Sequence, residues 1–375
     1  MSAPSVLERI QALDAYAPGL SIAEIRRRHG LERVIKLASN ENPLGASPLA
    51  QEAIRRHAGL AFRYPQGGNP RLLRALAQLH DVAPARVVAG NGSDEIIDLL
   101  IRMLAASGED SVVCCLPCFS IYPIQARIAG VELRRCALRE DFSMDFDGLL
   151  ALADASTRLV FVTTPDNPSG YCPPRADVAR LARLLAEKAP KALLVVDEAY
   201  MDFSEDETAS SLLAAGPLPE NVAVLRTFSK SWGLAGLRLG YGIVPPSIAE
   251  GFWRCRLPFS VNVLAEEAAL AALEDTAFRA ATLETVRTGR RTLAEGLARL
   301  GCRVWPSQAN FLMFRLPEGR DARACFDGLL RRGIIIRPLA SYGLPEYLRV
   351  SVGNSEENAA FLHALEEELA ATEPA

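Results

Sequence analysis

Residues 192–200 read Ala-Leu-Leu-Val-Val-Asp-Glu-Ala-Tyr. Five apolar residues in a row, with no polar alternation, suit a strand buried on both faces. The run stops at Asp197, which places a carboxylate at the carboxyl end of that strand. Similar short runs flank it at 86–90, 111–116, 131–136, 158–163, 222–227 and 238–244. Between them the apolar spacing turns helical, as with Ile96, Ile97, Leu100, Met103 and Leu104 within 94–106, and again over 174–188. This alternation predicts an α/β fold, a mostly parallel central sheet with helices on both faces. In open sheets of this kind ligands bind beyond the carboxyl ends of the strands. An aspartate there can also merely cap the next turn, so Asp197 needs company to mean anything.

The ends of the chain read differently. Residues 1–35 suggest one or two helices and an extended lead-in. Residues 263–300 suggest one or two long helices, followed by strands near 302–305, 310–315, 333–336 and 347–352 and a helix at 321–332. We expect a large domain over 45–260 and a smaller α+β domain built from 1–44 and 261–375.

Composition narrows the class. The chain has 375 residues, 49% hydrophobic and 23% charged, which excludes a disordered chain, a collagen or a coiled-coil rod. A net charge of −4 offers no footprint for nucleic acid. No run of about 18 apolar residues could span a membrane. The opening residues carry Glu8 and Asp14 and lack a continuous apolar core, so no signal peptide and a cytoplasmic location are expected. The eight cysteines are scattered and expected to be free thiols. Cys115 and Cys118 lack a second ligand pair, and the four histidines stand apart, so no metal is expected. Four lysines stand against 37 arginines, which leaves few candidates for chemistry that needs a primary amine.

One of those lysines lies in Arg226-Thr-Phe-Ser-Lys230-Ser-Trp-Gly-Leu-Ala-Gly-Leu-Arg238. Thr227 and Ser229 precede it and Arg238 follows, a set of donors suited to a phosphate. A lysine held beside them suits a Schiff base. Gly90-Asn-Gly-Ser93-Asp94 opens onto a helix, with Ser93 as its expected N-cap and its free amides as an anion site. Glu95 stands where a dinucleotide fingerprint needs its third glycine, which excludes that reading. Thr164-Pro-Asp-Asn167-Pro-Ser-Gly follows another strand-like run, so Asn167 also falls on the ligand edge.

Together, and in this order, these motifs resemble the fold-type I pyridoxal-phosphate enzymes, and among them the aminotransferases. The resemblance spans nearly the whole chain. The segments Tyr16-Ala-Pro-Gly, Lys36-Leu-Ala-Ser-Asn40-Glu-Asn-Pro-Leu-Gly and Tyr64-Pro, with Gly333-Ile-Ile-Ile-Arg337 and Leu348-Arg349-Val-Ser-Val-Gly in the tail, are similar to the histidinol-phosphate aminotransferase family. The resemblance implies pyridoxal 5′-phosphate as cofactor, held on Lys230, which also moves the proton. It gives Asp197 to the ring nitrogen, Tyr200 and Asn167 to the phenolic oxygen, and Phe119 to the ring face, where many relatives have tyrosine. Thr227, Ser229, Arg238 and the amides of Ser93 and Asp94 are implied for the cofactor phosphate. Tyr64 is implied to reach across a homodimer with shared active sites. Asn40 and Tyr16 are implied at the substrate, Arg349 at its carboxylate, and Arg337 with Tyr16 and Arg349 at its phosphate.

The reaction so implied is ping-pong transfer of an amino group from L-histidinol phosphate to 2-oxoglutarate, a step of histidine biosynthesis. The rivals are an aromatic or other amino-acid aminotransferase, a threonine-phosphate decarboxylase-like enzyme, and a regulatory cofactor-binding module. The last needs a DNA-binding segment, for which this chain has no room or basic stretch.

Overall fold

The computed structural model describes residues 6–13 and 20–371. Its strands, in chain order, are β1 Ile35–Lys36, β2 Val87–Gly90, β3 Ser111–Leu116, β4 Glu132–Ala137, β5 Thr157–Thr163, β6 Leu193–Asp197, β7 Val222–Thr227, β8 Gly240–Ile243, β9 Arg303–Val304, β10 Phe311–Arg315, β11 Ile334–Ile335, β12 Arg337–Pro338 and β13 Tyr347–Ser351. The central sheet has seven strands in the order β2-β8-β7-β6-β5-β3-β4. β8 runs antiparallel to both neighbours, and the other pairings are parallel.

Side chains of a strand alternate between faces, and β6 shows the consequence. Leu194 and Val196 enter one apolar core, while Leu193 and Val195 enter the core on the opposite face. Both faces are covered by helices, so the apolar run seen in the sequence has no polar side to show. A third core lies under the four-stranded sheet β12-β13-β10-β9. It gathers Phe311, Phe314, Leu348, Val350 and Phe361 with Ile25 and Leu37 from the amino-terminal segment. Tyr200 and Phe203 reach into it from the central sheet.

Residues 263–300 form two helices, Val263–Glu274 and Thr276–Arg299, broken at Asp275. The Asp275 side chain caps the second, accepting from the Phe278 amide. It also accepts from the Ser47 hydroxyl at 2.6 Å. The first of these helices buries Ala265, Ala268, Ala269 and Ala272 in the core of the large sheet. The second contributes Val286, Leu293 and Leu297 to the third core. The amino-terminal segment is tied to the tail by the parallel pairing of β1 with β11. Among the described residues no helix is long and apolar enough to cross a membrane.

Candidate active site

The parallel register of β5, β6 and β7 sets Thr163 beside Asp197 and Asp197 beside Leu225, so β5 and β6 end together and β7 runs two residues further, to Thr227. A cleft of about 230 Å³ opens over this edge. That exceeds the roughly 150 Å³ that accepts a benzene ring. The cleft is lined by ten of the side chains singled out in the sequence, from Ser93 and Asp94 through Phe119, Asn167, Asp197 and Tyr200 to Thr227, Ser229, Lys230 and Arg238. Ser39, Glu41, Thr163, Ala199 and Ala235 also line it.

Asp197 is buried (3% exposed). Its Oδ2 accepts from the Tyr122 hydroxyl at 2.7 Å and its Oδ1 from the Ala199 amide at 3.1 Å. Burial pushes the carboxyl up to about 6, against the pull of these two donors. Lys230 follows β7 and is half-buried. Its Nζ lies 3.4 Å from the Ser39 carbonyl and 5.3 Å from the Tyr200 ring centroid. Burial, aided by the nearby Arg349 guanidinium, pushes the amine down to about 8. A larger share of it is therefore neutral, and nucleophilic, near physiological pH. The loop that carries it is pinned from the amino-terminal segment, since Asn42 Nδ2 donates to the carbonyls of Lys230 at 3.2 Å and Ser231 at 2.9 Å. Gly233 sits at φ +70°, and a Cβ there would lie 2.0 Å from the Gly45 carbonyl oxygen, so only glycine allows this contact.

Tyr200 accepts a hydrogen bond from Asn40 Nδ2 at 3.0 Å, which leaves its own proton free to donate elsewhere. Asn40 is thus buried behind Tyr200 rather than lining the cleft. The helix Ser93–Leu104 is capped differently from expectation. Gly92 is its N-cap and Ser93 its first residue, with no side-chain cap. The φ of Gly92 is +83°, a conformation that serine adopts only with strain. The uncapped amides leave room for an anion. Arg238 comes to this helix end and bonds Asp94 Oδ2 at 3.0 Å. Gly240 makes the approach possible, because a Cβ there would fall 2.2 Å from the Ser93 nitrogen.

Arg349 lies behind the cleft wall on β13, buried at 5% exposure. It bonds Asn167 Oδ1 through Nη1 and the Ala38 carbonyl through Nη2 at 3.0 Å. Its Nε is buried without a partner, an orphaned donor. Arg337 faces it across the β12–β13 pair, as its direct Cα partner. Arg337 makes no side-chain hydrogen bond or ion pair among the described residues. Tyr64 is 80% exposed and stacks on Phe259 with ring centroids 4.7 Å apart, away from the cleft lining. Tyr16 lies outside the described residues.

Residues 32–365 match the family Aminotransferase class I and II. The chain is 60% identical to histidinol-phosphate aminotransferase of Nitratidesulfovibrio vulgaris (strain Hildenborough), over 98% of this chain and 99% of that one. The chain belongs to the histidinol-phosphate aminotransferase family. The same enzyme from Shouchella clausii is 42% identical over 95% of both chains. Histidinol-phosphate aminotransferase from Sinorhizobium meliloti, solved in complex with pyridoxal-5′-phosphate, superposes with a TM-score of 0.88 at 29% identity, covering 99% of each chain. The fold class read from the sequence holds. The donor set of this aminotransferase also fits such a cofactor. Asp197 is a buried carboxylate that no basic side chain among the described residues contacts, a place for a cationic ring nitrogen. Thr227, Ser229 and the free helix amides face a phosphate position, and Lys230 is an amine within the same cleft.

Tyr122 and Asn42 were not anticipated. Tyr122 sits in Ile-Tyr-Pro-Ile, where nothing distinguishes it from core. Asn42 belongs to the quoted Asn-Glu-Asn-Pro stretch, but its spacing carries no hint of Lys230.

Proposed function

We propose that this aminotransferase moves the amino group of L-histidinol phosphate to 2-oxoglutarate, using pyridoxal 5′-phosphate. When bound, that group supplies an aldehyde to an amine and a cationic ring that withdraws electrons. The protein does the rest. Lys230 would hold that group through its amine, and the same amine in its neutral form would be the base that takes and returns the substrate Cα proton. Asp197 keeps the ring nitrogen protonated by offering it a buried negative charge. Tyr200, with its proton free, and Asn167 donate to the phenolic oxygen, while Phe119 covers one ring face. Thr227, Ser229, Arg238 and the amides of Ser93 and Asp94 take the phosphate. Arg238 would then share its fork between Asp94 and the anion.

The observation that carries the substrate reading is the Arg337–Arg349 pair. Two guanidiniums on adjacent strands face the same side, one with an orphaned Nε and one unpaired among the described residues. Such a pair suits a donor bearing a phosphate in one half-reaction and a carboxylate in the other. Asn40 stands behind Tyr200; Tyr16, outside the described residues, is proposed for the substrate phosphate by family resemblance alone. We further propose a cytoplasmic homodimer whose exposed Tyr64 serves the partner's site, and a chain divided into a unit over 45–260 and a second from both termini. The test is a donor screen on the purified holoenzyme. L-Histidinol phosphate should bleach the cofactor's visible absorbance, with a kcat/KM far above that for phenylalanine. A preference for phenylalanine would replace this donor with an aromatic one. Sedimentation tests the dimer separately.

A further inference from the structure

We propose that Tyr122 is the positioning residue of Asp197, holding that carboxylate ionised and turned toward the cofactor's ring nitrogen; the inference rests on the cofactor reading above. Tyr122 lies in the helix Ile121–Ala129 and is 1% exposed. Its hydroxyl stands 2.7 Å from Asp197 Oδ2 and 2.8 Å from Thr163 Oγ1. Its ring stacks on Phe161 with centroids 4.5 Å apart and an interplanar angle of 11°. It also meets Phe119 edge-on at 5.8 Å. One side chain thus touches both groups assigned to the cofactor ring, the face at Phe119 and the nitrogen at Asp197.

The direction of the hydrogen bonds follows from counting protons. A tyrosine hydroxyl has one proton to give. An ionised Asp197 only accepts, so the Tyr122 proton goes to Oδ2, and Thr163 must donate to the Tyr122 oxygen. With the carboxylate charged the chain runs from Thr163 through Tyr122 to Asp197; a protonated Asp197 would reverse its direction and spend the carboxyl proton on Tyr122. With the Ala199 amide on Oδ1, each oxygen has one donor, which sets the plane of the carboxylate. No basic side chain among the described residues offers the charge another partner. A buried carboxylate that loses one of two donors holds its proton more firmly, and a protonated Asp197 cannot keep a pyridinium charged. The rings of Phe161 and Phe119 fix where the hydroxyl sits, so the donor is preorganised rather than drawn in by the cofactor.

Tyr122→Phe keeps the ring and deletes the O–H. A hydrogen bond to a charged group corresponds to about a ten- to hundredfold effect. We expect cofactor affinity of the apoprotein, measured by equilibrium dialysis, to fall by about that factor. The midpoint of the pH titration of the bound cofactor's absorbance should move. The single-turnover rate with L-histidinol phosphate should fall while the KM for 2-oxoglutarate stays. In an Asp197→Asn background the same change should add little, because the two residues form one unit. Unchanged affinity and titration with only a lowered Tm would overturn the proposal, as would fully additive losses. If wild type binds the cofactor but ignores histidinol phosphate, the donor reading fails while the affinity arm still judges Tyr122. Should Tyr122→Phe not fold, Thr163→Val breaks the other link; a smaller shift of the titration in the same direction is expected, and no shift refutes the relay.

Discussion

Asp197 and Glu198 are consecutive, both buried, and lie at the end of one strand, yet they meet opposite surroundings. Asp197 turns to the cleft, where two neutral donors and no cation meet it. Glu198 turns to the other side, where Arg226 stands 2.6 Å away. Ser211 and the Leu212 amide also donate to it. Arg226 in turn bonds Asp202 and Glu207, and Arg279 joins Asp202 at 2.9 Å. One carboxylate is left short of charge compensation and the other is fully paired. The difference teaches where to look for function: a buried charge whose neutraliser is missing from the chain is a charge kept for a ligand, at a cost to the empty protein.

The sharpest way to test that contrast is to remove the amine that shares the Asp197 cleft. Lys230→Ala should lower turnover by more than about 10⁴-fold and abolish the covalent visible absorbance, with the melting temperature of the apoprotein held or raised. Asp197→Asn comes next. Turnover should drop by about 10²-fold or more, and the apoprotein should be no less stable, because an uncompensated buried charge has gone. Glu198→Gln should do the reverse, costing about 3–5 kcal/mol in denaturant unfolding while leaving turnover per folded molecule unchanged. If both substitutions harmed stability equally, the distinction between the two carboxylates would fail. Arg337→Ala should raise the KM of the phosphorylated donor about ten- to hundredfold and affect 2-oxoglutarate less. The smallest effect is one of pH. Because Lys230 is lowered from 10.5 to about 8, its neutral fraction rises as pH climbs through about 8. Capture of pyridoxal phosphate by apoprotein should accelerate through that window and level off above it. The same shift makes the amine's contribution to apoprotein stability complete above 10.5 and lost as pH falls to about 8.

Much of this was visible in the amino-acid order. Strands buried on both faces announce themselves by unbroken apolar runs, and residues at their carboxyl ends converge by geometry alone. That is why Asp197, Asn167 and Thr227 could be placed on one edge before any coordinates. What escaped reading depends on contacts between distant segments. β1 has two residues, too few to show a period, and its pairing with β11, which falls in the strand expected at 333–336, spans nearly 300 positions. Tyr122 lies among apolar neighbours, and only the approach of its helix to β6 reveals a role. His80 falls in a helical stretch that reads as surface or interface, yet its Nε2 lies 2.9 Å from the Tyr241 hydroxyl, and burial pushes the ring down to about 4. A hydroxyl before an apolar stripe looks like a cap, so the sequence points to Ser93, whereas the backbone at the true cap, Gly92, needs a conformation that glycine supplies.

The grip of Asn42 on the carbonyls of Lys230 and Ser231 has a topological consequence. The reactive amine hangs from a loop after β7, but its anchor arrives from almost two hundred residues upstream. The placement of the nucleophile therefore rests on a long-range contact and not on the loop's own sequence. The same segment that moors the amine also fills the small-sheet core with Ile25 and Leu37 and pairs β1 with β11, so nucleophile and scaffold share one support.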